Sequence, residues 1–440
     1  MERSDQMQPG LERSVGGDEP RGAAGHRISR RRLLRSGGLA ALALPLSGLV
    51  ACDRDPGPGL VDVTGSSPRA NQPEVDWDAW WAEQRLTGHL DFANWPYYID
   101  RRRDNSHPSL DLFTSTTGIE VAYYRPIRDN ASFLELIRPA LEAGEPIGYD
   151  LIVISNGPEL AELIGSGWVT PLDHTRLPHF EWNAGPLVRG PLWDPGNRYS
   201  VAWQSGLTGI AYTPEAVEAL GYEPSSIQDL WHPALSGKVG MMSDLVELGS
   251  VGLLAIEVDP ATSTRDDWLA AAGRLRAQRE AVAPRYYDQG YTEALARRDT
   301  WISLAWSGDV FQLNNLGQPD LRFVVPSEGA MLWTDNMLIP MGAPHPLDAL
   351  SFMDFVYRPR VAAMIADWVW YICPVPAAKP IVAGELGNPD VARSPLVFPG
   401  PDLLGDGVGA GGFGVRDYYV YADATDYAEW VATFEPIVYS

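Results

Sequence analysis

The chain has 440 residues, 57 Asp and Glu against 34 Lys and Arg, a formal net charge of -23 at pH 7, and 45% hydrophobic residues that include 16 tryptophans. That length and apolar content support a large core or two lobes, whereas the acidic balance argues against nucleic acid as a partner and favours attraction of small cations. Cys52 and Cys373 are the only cysteines, so no disulfide framework is expected.

Residues 1–51 hold eight arginines against five acids, and Ser29-Arg30-Arg31-Arg32-Leu33-Leu34-Arg35 precedes a short apolar run ending at Leu49-Val50-Ala51-Cys52. Paired arginines, an apolar stretch too short to span a bilayer and small residues before a cysteine predict a twin-arginine export signal over 1–51, with Cys52 taking a lipid and becoming the new N-terminus after cleavage. Residues 52–88 are expected to be a flexible tether, since Asp53 to about Glu74 is rich in Pro, Gly, Ser and Asp without periodicity. The mature protein is then extracytoplasmic and held to the bacterial membrane by its lipid.

Folding proper is expected from residue 89. Leu90–Asn94, Ile119–Tyr124, Tyr149–Ser155 and Ser200–Trp203 read as strands; Ser132–Ala143, Arg265–Ala281, Pro346–Tyr357 and Val361–Trp370 read as helices. In the last of these, Val361, Met364, Ile365, Trp368 and Val369 repeat at helical spacing and predict one buried face. The alternation argues for α/β lobes on largely parallel sheets, with ligand-binding loops at strand carboxyl ends.

Two motifs carry less than their spelling suggests. Gly407-Val408-Gly409-Ala410-Gly411-Gly412 matches a dinucleotide fingerprint, yet no strong strand precedes it and no helix follows, so it reads as a loop and no cofactor is expected. Asp173, His174 and His179 are close in sequence, but seven scattered histidines without a metal-ligand motif give no reason to expect a metal. The absence of a G-x-S-x-G elbow weakens hydrolase readings.

Acidic and aromatic residues concentrate in four runs: Asp91–Asp100, Asp150–Ser155, Trp301–Asp309 and Gly329–Asn336. Together with Tyr199–Trp203, Gly237–Gly240 and the Tyr371-Ile372-Cys373-Pro374 turn, they resemble the spermidine/putrescine-binding subunits of ABC importers, in order from about Leu90 to Ala378. The resemblance implies an α/β two-lobed clamp of the type II periplasmic-binding-protein kind, with several crossings between lobes. It places the crossings near Ser205, Thr334 and Lys379, giving one lobe of 89–205 plus 334–379 and another of 206–333 plus 380–440. By matching motifs it implies ligand contacts at Trp95, Tyr98, Ser155, Asp244, Glu247, Trp306, Trp333, Asp335 and Tyr371. Where many family members have a tyrosine two residues beyond the strand-end serine, this chain has Gly157.

The residues themselves are compatible with that chemistry. A linear polyamine needs carboxylates at ammonium spacing and flat apolar walls between them. Taken singly, each tryptophan can equally be core, and Asp244 and Glu247 can serve a helix N-terminus. Asp335 lies between the apolar runs Met331–Trp333 and Met337–Ile339, where an unpaired carboxylate is costly. The expectation is a monomeric, non-enzymatic solute-binding subunit that delivers a polyamine to an ABC permease. A binding protein for another amine-bearing solute, or an anchored hydrolase using the three carboxylates, are the alternatives.

Overall fold

The computed structural model describes residues 75–315, 317, 320–400, 403, 415–419, 421 and 424–439. The predicted signal, Cys52, the tether up to residue 74 and the glycine run Gly407–Gly412 lie outside them.

Ten strands are described: β1 (His89–Ala93), β2 (Glu120–Tyr124), β3 (Leu151–Ser155), β4 (Ser200–Tyr212), β5 (Val239–Met242), β6 (Arg285–Tyr287), β7 (Ile302–Trp306), β8 (Arg322–Val324), β9 (Ala330–Leu338) and β10 (Val415–Arg416). They form one sheet in the order β2-β1-β3-β9-β4-β7-β5-β6, with β10 added to β9 and β8 to β4. At one end β2, β1 and β3 are parallel, and at the other β7, β5 and β6 are parallel. The two long strands between them, β4 and β9, pair antiparallel with each other, β9 joining β3 and β4 joining β7. Parallel strands covered by helices on both faces lose polar alternation, and Leu151-Ile152-Val153-Ile154 shows this.

The helices follow their caps. Asp129 accepts from Ser132 N at 2.7 Å to start Asn130–Ala143, which ends at Gly144 in the left-handed region. Thr264 and Asp267 form a capping box for Arg265–Val282. Among the described residues no helix is long and apolar enough to cross a membrane.

Two large cores flank the middle of the sheet. The first gathers Leu90, Phe92, Phe113, Trp203, Phe352 and Ile365, beside a smaller cluster around Phe133, Ile137 and Ile154. The second gathers Val239, Leu248, Trp268, Leu275, Leu304 and Trp430. β4 carries the chain from Val201–Trp203 in the first core to Ile210–Tyr212 in the second, and β9 returns it from Met331 to Met337.

Several expectations change. Residues Trp77–Glu83, read as tether, form a helix whose Trp81 is buried and donates its indole N–H to Pro171 O at 2.8 Å. A tryptophan-rich segment gains too much from burial to remain tether. β4 runs nine residues beyond the predicted end at Trp203, because the polar stretch after it is paired within the sheet: Ser205 Oγ meets Thr334 Oγ1 at 2.7 Å. The resemblance assigns the segment after Lys379 to the second lobe, yet Val382, Val391, Ala392, Val397 and Phe398 pack into the first core. The C-terminal helix Ala424–Tyr439 then supplies Trp430, Phe434 and Ile437 to the second core. Trp368, expected on a buried face, is 41% exposed; alanines 362, 363 and 366 complete that face instead.

Candidate functional site

The site is assembled where β4 and β9 pass between the two cores. On β9, Trp333 and Asp335 are two residues apart and share a face of the strand. Asp335 is in register with Ser155, the last residue of β3, and Ser155 Oγ donates to Asp335 Oδ1 at 2.6 Å. Gly206 of β4 is the register partner of Trp333, whose indole lies where a Cβ on residue 206 would stand, so glycine is required there. The other participants come from the carboxyl ends of the parallel strands: Trp95 after β1, Asp244 and Glu247 after β5, and Trp306 at the end of β7.

The rings form a continuous series. Tyr98 meets Tyr371 edge-on at 5.2 Å between centroids, Tyr371 meets Trp333 at 5.2 Å, Trp333 meets Trp306 at 6.3 Å, and Trp306 meets Tyr291 at 5.9 Å. Tyr98 is fixed from behind, its carbonyl accepting the indole N–H of Trp203 at 3.0 Å. Trp95 stands at the margin, half-buried, donating Nε1–H to Val153 O at 3.1 Å.

Carboxylates interleave with these rings. Burial pushes Asp335 up to about 6 despite the Ser155 hydrogen bond. The Tyr98 hydroxyl approaches that carboxylate but closes no well-formed hydrogen bond, and burial together with the Asp335 charge raises its pKa. Glu247 is buried; its Oε1 accepts from Thr208 Oγ1 at 2.6 Å and from Trp306 Nε1 at 3.3 Å, while Oε2 closes no well-formed hydrogen bond among the described residues, with the Tyr418 hydroxyl approaching the carboxylate. Burial, then the neighbouring Asp244 charge, lift Glu247 to about 7. Asp244 does both things its sequence position allows. It caps Leu245–Leu254 by accepting from Val246 N and Glu247 N, each at 2.9 Å, and it remains open to water between close protein walls. Those walls, and the Asp129 charge from the first lobe, raise its pKa.

Seven of the nine sequence-derived positions therefore meet in one ring-and-carboxylate cluster, with Trp95 and Asp244 at its edges. Two acids escaped sequence reasoning. Asp309, in the first turn of Ser307–Asn315, accepts from Tyr371 Oη at 2.5 Å and Tyr291 Oη at 2.7 Å, and burial raises its pKa. The run Trp306-Ser307-Gly308-Asp309 carried the signal. Glu159, two residues after Gly157, is pushed up to about 7 by burial and by the charges of Asp244 and Asp129. Gly157 itself leaves open space, with only Glu159 Oε2 within 4 Å of the missing Cβ.

His174 has both ring nitrogens engaged, Nδ1 with Glu181 at 2.7 Å and Nε2 with Asn197 O at 2.8 Å. Cys373 is free and buried, and burial pushes its thiol up to about 12.

The sequence profile of bacterial extracellular solute-binding proteins matches residues 148–403. The chain belongs to that family. Members are binding proteins rather than enzymes. Among individual relatives, the chain is 28% identical over 339 residues to the putrescine-binding periplasmic protein PotF of Escherichia coli, covering 73% of this chain and 85% of PotF. It is 26% identical over 336 residues to the spermidine/putrescine-binding periplasmic protein of the same organism, covering 75% and 90%. It is 29% identical over 335 residues to the putrescine/agmatine-binding protein of Pseudomonas aeruginosa, covering 72% and 86%. The fold is similar to the substrate-binding protein PotD of a spermidine/putrescine ABC transporter from Streptococcus pneumoniae, with TM-score 0.64, 23% identity and coverage of 79% and 98%. It is similar also to the TpPotD lipoprotein of Treponema pallidum, with TM-score 0.64, 17% identity and coverage of 80% and 100%. The two-lobed extracytoplasmic binding-protein fold follows.

Proposed function

We propose that this solute-binding protein captures a linear polyamine of the putrescine or spermidine class between its lobes and presents it to an ABC permease. One observation carries the reading. Glu247, Asp309 and Asp335 converge among aromatic rings, each held by hydroxyl or indole donors, and none has an arginine or lysine partner among the described residues. Carboxylates withdrawn from water without a counter-charge favour a cationic occupant. The relatives named for putrescine and spermidine support the same class.

In this reading Tyr98, Trp333, Trp306 and Tyr371 enclose the methylene chain, while Asp335, Asp309 and Glu247 accept from its ammonium groups and Ser155 holds Asp335 in place. Trp95 closes the first-lobe end, with Asp244 and Glu159 at the entrance. A tryptophan face over a cation contributes about 0.5 to 2 kcal/mol and each charge-assisted hydrogen bond about 1.5 to 3 kcal/mol. After ligand ordering and desolvation, a net of about -8 kcal/mol, near micromolar, is the appropriate scale. Binding bridges residues of both lobes, so the ligand favours the closed arrangement that the permease recognises. The protein works as a monomer, anchored through a lipid on Cys52.

Native mass spectrometry of the freshly purified protein tests the proposal. A retained diamine or triamine, lost on exhaustive dialysis and restored by putrescine, is the expected result. A retained neutral or anionic solute would refute it.

A further inference from the structure

Away from the ring-and-carboxylate cluster, His89, Asp91 and His345 bring their metal-ligating atoms within 4.8 Å of one another. His89 and Asp91 alternate on β1 and therefore face the same side, with His89 Nε2 3.2 Å from Asp91 Oδ2. His345 arrives from a distant part of the chain, at the N-cap of the helix Pro346–Val356. Bonds of about 2.0 to 2.1 Å to one tetrahedral ion place neighbouring ligand atoms roughly 3.3 Å apart. The first pair already has that spacing, and small side-chain rotations bring in the third.

The surroundings orient all three. Thr87 Oγ1 is 2.8 Å from His345 Nδ1 and 3.2 Å from Asp348 Oδ2. With the hydroxyl donating to Asp348, His345 donates through Nδ1 and keeps the Nε2 lone pair for a ligand bond, an outer-shell relay typical of metal-binding histidines. Asp91 Oδ1 accepts from Tyr124 Oη at 3.1 Å, which leaves Oδ2 toward His89. Asp150 ties both ligand-bearing segments together, accepting from Asp91 N at 2.8 Å and from His345 N at 2.9 Å. Asp91, Asp150 and Asp348 have no lysine or arginine ion-pair partner among the described residues, so the local charge favours a cation.

We propose that His89, Asp91 and His345 bind one divalent transition-metal ion of the zinc class. Two imidazoles and one carboxylate suit such an ion better than magnesium or calcium, which take oxygen ligands. The site stands independently of the polyamine reading. His89 opens β1 and Trp95 follows its end, about 20 Å along an extended chain, so the ion would tie β1 to the loop before Pro346–Val356 without touching the solute. The side chains of His89 and Asp91 are 42% and 26% exposed, which leaves room for a water as fourth ligand.

The test is zinc titrated by calorimetry into the full chain, purified without a histidine tag and stripped with chelator, with cobalt(II) absorption as a second readout. One ion per chain, with visible bands of a tetrahedral cobalt complex, is expected. His345→Gln and Asp91→Asn should each lower zinc affinity at least tenfold and remove those bands, while putrescine binding is unchanged. Should the variants misfold, the wild-type cobalt spectrum still decides. Absence of tetrahedral bands, unchanged zinc affinity in folded variants, or magnesium binding as tightly as zinc would overturn the proposal.

Discussion

Replacing Asp335 by asparagine separates ligand binding from folding, because the two effects have opposite signs. The side chain keeps its shape and can still accept from Ser155 Oγ, the 2.6 Å partner of the native carboxylate, but it loses its charge. In the ligand-free protein that charge is a liability: burial raises the carboxyl from 3.8 to about 6. A raised acid binds its proton more tightly when folded, so the penalty is absent below about pH 4, develops between pH 4 and 6 and is complete above pH 6. The shift corresponds to a cost on the order of 3 kcal/mol at neutral pH. Asp335→Asn should therefore leave ligand-free stability nearly unchanged at pH 4 and increase it at pH 7.5. With a polyamine bound, the same carboxylate partners an ammonium group, and removing one side of such a pair costs about 2 to 5 kcal/mol, roughly 30- to 5000-fold in Kd. Thermal melts at both pH values, with calorimetric titration of putrescine and spermidine, provide the measurements. Unchanged Kd in the variant would exclude an ammonium partner for Asp335, and a loss of ligand-free stability at pH 7.5 would contradict a buried, uncompensated charge.

Polyamine affinity should fall as pH drops from 8 to 5, because Glu247 at about 7 and Asp335 at about 6 protonate while the amines stay charged. Calorimetry in buffers of different ionisation heat should show proton release on binding near pH 6, and a flat profile would count against both carboxylates as ligands. Trp333→Ala should weaken binding by about 1 to 3 kcal/mol with no change in charge; equal affinities in a fluorescence titration would remove the ring from the site. Gly206→Ala should destabilise the protein by about 1 to 3 kcal/mol and shift Trp333 emission, since the new methyl overlaps the indole. Cys52→Ser should move the protein from the membrane fraction to the soluble one without altering Kd, and persistence of membrane attachment would exclude a lipid on that residue.

The candidate site was legible in the sequence where its residues fall in contiguous runs. Trp333 and Asp335 share a strand face, and Trp306 ends a strand, so a short motif carries their positions. Asp309 was harder to see. An acid in the first turn of a helix is ordinary for that position, and its partners Tyr291 and Tyr371 become neighbours only through the tertiary fold. Asp244 shows that capping and a place in the site are compatible. β4 was underestimated because Gln204, Ser205 and Gly206 interrupt its apolar run, although pairing with β9 keeps them in the strand. The apolar residues after Lys379 do not reveal which core they enter, and their packing into the first one is set by the tertiary fold. Helical periodicity allows a broad stripe that includes Trp368, but alanines 362, 363 and 366 fill the buried side without it.

Capture of an organic polycation between carboxylates and aromatic walls has a distinct binding signature. The most direct measurement is a calorimetric titration of the ligand-free protein at pH 7.5, at low and high salt, with spermidine, putrescine, a neutral diol of the same length and magnesium. A polyamine clamp binds one spermidine or putrescine per chain near micromolar Kd, retains most of that affinity in high salt and ignores the diol. Magnesium competing as well as either amine, or affinity that collapses with salt as expected for screened surface charge, would contradict it.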